Sequence, residues 1–325
     1  MRFASLVFIV ACHGTDSNVL TGPDGSSTSD TPPATGAWTE VTSGTYADLY
    51  SVWAGAANHV VAVGVNPGDD VWPGMILLFD GTTWGQTPYA INLYGVFNRT
   101  AVGELGNEGS ATYWNGSTWS SRFVLAPGTL HGTWEASPGT YATGDNGRLL
   151  YTSETGIPGS WGTLTSNTSE VLYAVWGATS SDVYAVGAQG TIVHNPNAGP
   201  GVTGPWNNQS FGLSTLRGIW GSSPDDIYVV GEAPAVILHT RDRGATWTQA
   251  TLPASAIGLN AITGTSANDI YVVGATGGLA FHSTGNDVWT TEQLPTTKDL
   301  FGIAIAPSGD IYAVGRGGTI VHKAP

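Results

Sequence analysis

Residues 217–231 read RGIWGSSPDDIYVVG: a short apolar run, a turn of Ser, Pro and Asp, and a second apolar run closed by glycine. Nearly the same phrase stands at 173–187, YAVWGATSSDVYAVG, and at 260–274, NAITGTSANDIYVVG. Short alternating runs broken by turn formers are the pattern of paired strands. A phrase that returns at a fixed interval marks a repeat architecture, and the repeat outranks local propensity in deciding the fold.

Followed along the chain, the closing glycine falls at Gly64, Gly103, Gly144, Gly187, Gly231, Gly274 and Gly315, at separations of 39, 41, 43, 44, 43 and 41 residues. A leucine opens each unit: Leu49, Leu93, Leu130, Leu172, Leu216, Leu259 and Leu300. A period of about 42 residues is that of a four-stranded propeller blade. Strand A reads Leu-x-small-Val/Ile-Trp, as in LRGIW, and strand B reads DIYVVG. Strand C reads GTIVH or a relative, and strand D starts at a tryptophan, as in WTQATL. The third residue of strand A is small in every unit (Ser51, Gly95, Gly132, Ala174, Gly218, Ala261, Gly302), as crowding around an axis demands.

The two ends of the repeat array complement each other. The last unit stops at GTIVHKAP with no strand D, while an orphan strand D, AWTEV at 37–41, precedes the first strand A. The pattern predicts an all-β fold, a seven-bladed β-propeller of four-stranded antiparallel blades, its ring closed by strand 37–41 completing the last blade. Such closure removes the exposed edges of an open array.

Composition agrees. Glycine at 46 of 325 residues and only 10% charged residues disfavour long helices, and 13 Trp and 12 Tyr suit pleated sheets. A formal charge of −14 with ten Lys and Arg excludes nucleic acid as a partner, because phosphate binding needs clustered cations. The same charge disfavours docking of the globular part on an anionic membrane. No cofactor motif is present: nothing reads as a nucleophile elbow, a P-loop or a zinc motif.

The start, MRFASLVFIVACHG, has a charged residue, an apolar run too short to span a bilayer, and the only cysteine of the chain, Cys12. IVAC (9–12) resembles the bacterial lipobox, which implies lipidation of Cys12 and a membrane-anchored, extracytoplasmic lipoprotein. Residues 13–36 are dominated by Gly, Ser, Thr, Asp and Pro and read as a flexible tether. The expected organisation is a lipoprotein-type signal peptide at 1–11, lipidated Cys12 and linker over 12–36, and the propeller over 37–325. Lipidated Cys12 is then the sole membrane contact.

TRDRGATW at 240–247 carries a further resemblance. It matches the Asp-box of the YVTN/BNR-like propellers, which share a WD40-like architecture, through Thr240, Asp242, Gly244, Thr246 and Trp247. The resemblance implies a structural role on the turn between strands C and D. FDGTTW (79–84) and WNGSTW (114–119) are shortened relatives. The phrase GIWGSSPDDIYVVG followed by GTIVH also resembles repeats in secreted bacterial lipoproteins.

Four histidines close strand C: His194, His239, His282 and His322. Equivalent places in successive blades are spread around a ring, beyond the ~2 Å bonds of a zinc site, so no metal is expected. Phe79, Tyr113 and Tyr151 take the corresponding place elsewhere. Asp182, Asp226, Asp269 and Asp310 open strand B and read as turn residues bonding their own backbone.

The best ligand-binding candidates follow the opening leucine: Tyr50, Tyr94, His131, Tyr173, Arg217, Asn260 and Phe301. This position varies while staying aromatic or hydrogen-bonding, and the start of strand A belongs near one mouth of the axial channel. The neighbouring B–C loops add Asp69, Asp70 and Trp72 from VNPGDDVWPGM, and Glu104 and Glu108 from ELGNEGS. An aromatic, acidic mouth suits a protein or glycan ligand. The function expected is a non-catalytic binding or assembly module. The alternatives are a lectin-like carbohydrate binder and a glycan hydrolase of sialidase-like architecture, although no carboxylate pair stands out.

Overall fold

The computed structural model describes residues 36–120, 123–153, 161–199, 205–252 and 256–325. The signal peptide, Cys12 and the tether to residue 35 lie outside the described residues. Strand β1 (Trp38–Val41) comes first, followed by four-stranded antiparallel units. The first unit is β2 (Asp48–Ala56), β3 (His59–Val65), β4 (Gly74–Phe79) and β5 (Trp84–Tyr89). Next come β6 (Asn92–Phe97), β7 (Thr100–Leu105), β8 (Glu108–Tyr113) and β9 (Phe123–Pro127). The third holds β10 (Leu130–Ala136), β11 (Gly139–Gly144), β12 (Leu149–Thr152) and β13 (Gly162–Leu164). The fourth holds β14 (Leu172–Thr179), β15 (Asp182–Gly187), β16 (Ile192–Asn195) and β17 (Asn207–Asn208).

Strands β18 (Thr215–Gly221), β19 (Ile227–Glu232), β20 (Val236–Thr240) and β21 (Thr248–Gln249) share a sheet with β22 (Gly258–Ser266), β23 (Asp269–Ala275), β24 (Leu279–Ser283) and β25 (Trp289–Gln293). A single pairing, Glu232↔Gly258, joins the two quartets. The last strands are β26 (Leu300–Ile305), β27 (Ile311–Gly315) and β28 (Ile320–Lys323). Strand β1 lies antiparallel on β28, with Trp38 opposite Lys323 and Val41 opposite Ile320.

The repeated glycines have a steric cause. Each opening leucine sits across from its closing glycine, as in Leu172↔Gly187 and Leu93↔Gly103. A Cβ on Gly187 would stand 1.9 Å from the Val171 carbonyl oxygen, so no other residue fits. The innermost strand of each unit packs on those of its neighbours, and β2 touches both β6 and β26. A Cβ on Gly95 would lie 2.7 Å from the His131 carbonyl oxygen, and one on Gly302 would lie 3.0 Å from Ser51 Cα. The tryptophan ending strand A lies over a glycine of the next unit: Trp134 on Gly177, Trp176 on Gly221, Trp220 on Gly264. Buried Leu, Val, Ile and Tyr from adjacent units fill the space between sheets.

The aspartates that open strand B depart from expectation. Their carboxylates accept from the strand C histidines rather than from their own backbone, and Asp226, Asp269 and Asp310 also accept the hydroxyls of Ser222, Thr265 and Ser308 in their own turns. His194 Nε2 lies 2.6 Å from Asp182, His239 2.6 Å from Asp226, His282 2.9 Å from Asp269 and His322 2.7 Å from Asp310. Tyrosine pairs with histidine in register, as Tyr184↔His194 does, and the aspartate lies two residues earlier on the same face. The rings therefore stack, with centroids 3.8 Å apart in both Tyr184–His194 and Tyr228–His239. Register also corrects the first unit: Leu78, opposite Val61, takes the histidine place, and Phe79 pairs with Val60.

Smaller corrections concern edges. Gly36, read as linker, already donates to the Ala324 carbonyl, and Ala37 precedes the strand. In the second unit the fourth strand starts at Phe123, because Trp119 forms a bridge with Trp114. The loop read at 104–110 is a tight turn at Gly106–Asn107 between β7 and β8.

Candidate functional site

The residue after each opening leucine occupies a β-bulge. The register slips between Leu49 and Ser51, Leu93 and Gly95, Leu130 and Gly132, Leu172 and Ala174, Leu216 and Gly218, Leu259 and Ala261, and Leu300 and Gly302. A bulged residue is left outside the ladder and its side chain is re-aimed. Tyr50, Tyr94, His131, Tyr173, Arg217, Asn260 and Phe301 are all half-buried there.

The structure brings these side chains together. Tyr50 stacks on Phe301 with centroids 5.1 Å apart and meets Tyr94 edge-on at 5.2 Å. Tyr94 lies 6.0 Å from His131, which lies 5.0 Å from Tyr173. The Arg217 guanidinium covers Tyr173 at 4.0 Å, and Asn260 Nδ2 donates to the Leu300 carbonyl at 2.8 Å. The result is a belt of π-faces and polar heads at the ends where the innermost strands begin.

A second layer, invisible to the leucine count, holds the belt. In four units the residue after the closing glycine reaches the belt residue of its own unit. Tyr94 donates to Glu104 at 3.2 Å, His131 Nε2 lies 2.9 Å from Asp145, and Arg217 grips Glu232 at 2.6 and 2.8 Å. Arg316 lies 6.0 Å from the Phe301 ring and 3.1 Å from Asp299. Thr129 ties two pairs together, its hydroxyl donating to Glu104 at 2.5 Å and its amide to Asp145 at 2.9 Å. The signal was present in the sequence as the acidic residues after Gly103, Gly144 and Gly231.

These contacts set the electrostatics. Burial, then the Glu104 charge, pushes the Tyr94 hydroxyl well above its ordinary range, and burial and then Asp48 raise Tyr50. Burial alone would raise the Asp145 carboxyl, yet the bonds from His131 and Thr129 take it below its usual value. The belt therefore stays a hydroxyl-bearing, electron-rich surface near neutral pH.

The remaining candidates lie elsewhere. Asp70 and Trp72 stand exposed on the β3–β4 loop of the same face, and Asp69 accepts from the Val71 and Trp72 amides, shaping that loop. Thr240, Asp242, Gly244, Thr246 and Trp247 form the β20–β21 turn on the opposite face. There Asp242 accepts from the Thr246 amide at 2.8 Å and hydroxyl at 2.6 Å, while Gly244, at φ +75°, donates to the Thr240 hydroxyl. Asp80 receives Thr82 and Thr83 in the same manner.

No protein-family model and no curated protein matches this chain. Solved structures do. YCF48 bound to D1 peptide is similar at a TM-score of 0.66 and 16% identity, over 90% of this chain and 99% of that one. A virginiamycin B lyase from Staphylococcus aureus gives a TM-score of 0.72 at 12% identity, over 89% and 99%. The WD40 propeller domain of Doa1 gives 0.64 at 12% identity, over 88% and 96%. The fold is a β-propeller. At these identities the likeness extends to fold alone, and it spans a lyase as well as YCF48 and a WD40 domain.

Proposed function

We propose that this protein is a non-catalytic recognition or assembly module, a seven-bladed propeller closed by β1 and held on an extracytoplasmic membrane through lipidated Cys12. One observation carries the reading: side chains about 42 residues apart in sequence join into one half-buried belt at a single mouth. Spent polar groups support the absence of catalysis, because Glu104, Asp145 and Glu232 each hold a belt side chain rather than standing free as acid or base. Support for seven closed blades comes from β1 on β28, from β2 against β26, and from the single pairing that divides the eight-stranded sheet. Anchorage rests on the IVAC sequence, as does assignment to the YVTN/BNR-like lipoprotein type on TRDRGATW. That YCF48 was solved with a peptide favours a polypeptide ligand over a glycan.

The test is in-envelope crosslinking of the full chain, comparing wild type with Tyr94→Ala/Tyr173→Ala. The expected outcome is loss of the specific crosslinked species; an unchanged set rejects the belt as the ligand site. Turnover of fluorogenic glycosides would overturn the non-enzymatic reading. Labelled palmitate entering Cys12→Ala as well as wild type would overturn the anchor.

A further inference from the structure

The belt face carries a feature that the repeat did not announce. Among the described residues eight large apolar side chains are exposed, and seven lie on this face. Tyr46 (89% exposed), Leu213 (76%), Phe211 and Ile257 (77%) sit on the connectors that lead into the innermost strands. Val71, Trp72 and Leu105 sit on the loops beside them, and only Val288 is on the opposite face. Single exposed apolar residues are ordinary, but a rim of them around one mouth marks an interaction surface.

We infer that this whole face is the docking surface for a polypeptide partner bearing aliphatic and basic side chains, with the belt as its centre and the apolar rim as its margin. The inference rests on the belt reading and adds the partner's chemistry. Charge selects the sign. Asp48, Asp70, Glu108 and Glu170 stand on this face beyond the carboxylates already tied to the belt, against Arg148, Lys298 and Arg316. The Arg217 guanidinium stacked on Tyr173 shows that these rings accept a cation on their faces. A second copy of this chain would bring like charge to like, since each copy carries −14. A bilayer is disfavoured by the same carboxylates, and β1 enters at Trp38 opposite Lys323, at the ends of the strands away from the belt.

The test uses the full chain and three short synthetic peptides of equal leucine and isoleucine content, one rich in lysine and arginine, one in glutamate, one in serine. The basic peptide should bind at least about tenfold more tightly than the acidic one. Leu213→Ser/Ile257→Ser, which leaves the charge unchanged, should weaken it by about tenfold. If Tyr94→Ala abolishes binding while the rim variant binds normally, the belt reading stands and this inference falls. If neither variant matters, both fall. Rim-dependent binding to phosphatidylcholine or phosphatidylserine vesicles, or a dimer in sedimentation that Trp72→Ser dissolves, also overturns it.

Discussion

Strand β19 begins just past Asp226, which is locked to His239, and ends at Glu232, which is locked to Arg217. Its two ends behave differently around the molecule. At the first, the Asp–Tyr–His set recurs with the same atoms in the same order in β15–β16, β19–β20, β23–β24 and β27–β28. At the second, the backbone repeats its bulge without exception while the side chains change: Tyr–Glu, His–Asp, Arg–Glu, Phe–Arg. A place where backbone and side chain both repeat is solving one packing problem many times. Where only the backbone repeats, packing leaves the side chain free and another demand chooses it.

If this contrast is correct, substitutions at the uniform ends cost stability and those at the belt cost binding. Trp38→Ala should have the largest effect, because the buried ring packs edge-on to Tyr271 and donates to Glu292 at 2.7 Å. We expect a loss of about 3–5 kcal/mol in urea unfolding; a loss below about 1 kcal/mol would mean that β1 does not hold the seam. His239→Ala comes next, at about 2–4 kcal/mol, because the 1% exposed imidazole leaves Asp226 and Asp287 facing an empty site. Peptide binding by that variant, measured below its melting point, should match wild type.

The charge cluster where β25 meets β1 and β28 gives a pH signature. Burial alone would lower the His282 imidazole, but Asp269 and Glu292 hold it up at about 9, against 6.5. Burial alone would raise Glu292, but His282, Lys323 and Trp38 draw it down to about 2, against 4.5. The histidine's contribution is complete below pH 6.5 and is lost as pH rises through 9; the glutamate's is complete above 4.5 and is lost as pH falls through 2. Melting temperature should therefore be flat between these values and fall on both sides, and Glu292→Gln should flatten both limbs.

At the other end, Tyr94→Ala should cost about 1 kcal/mol of stability yet weaken ligand retention by about tenfold; equal losses at both ends would erase the contrast. The smallest effect is expected from Asp242→Asn, whose carboxylate serves only its own turn. Faster amide exchange at Thr246, with the belt unaffected, is the readout.

The period, the strands and the belt positions were legible because the closing glycines are forced by close backbone contacts, as at Gly187, and each opening leucine is fully buried. The orphan strand at the start was legible through its buried tryptophan, which matches the residue opening strand D elsewhere. The roles of Asp182, Asp226, Asp269 and Asp310 were not, because a turn aspartate and a histidine-bonded aspartate look alike until register sets the neighbour. Of the acidic partners Glu104 was legible as part of the mouth, whereas Asp145 and Glu232 were hidden by their variation; the apolar rim, Trp72 apart, was hidden because its members lie on connectors that carry no repeat.

The antiparallel seating of β1 on β28 also has a mechanical side. If Cys12 anchors the chain and the belt holds a partner as proposed, a pull between the two runs along the strand axis. The hydrogen bonds of the seam are then loaded together in shear rather than peeled one at a time. A propeller so strung would meet such a pull in the direction in which its strand pairing resists most.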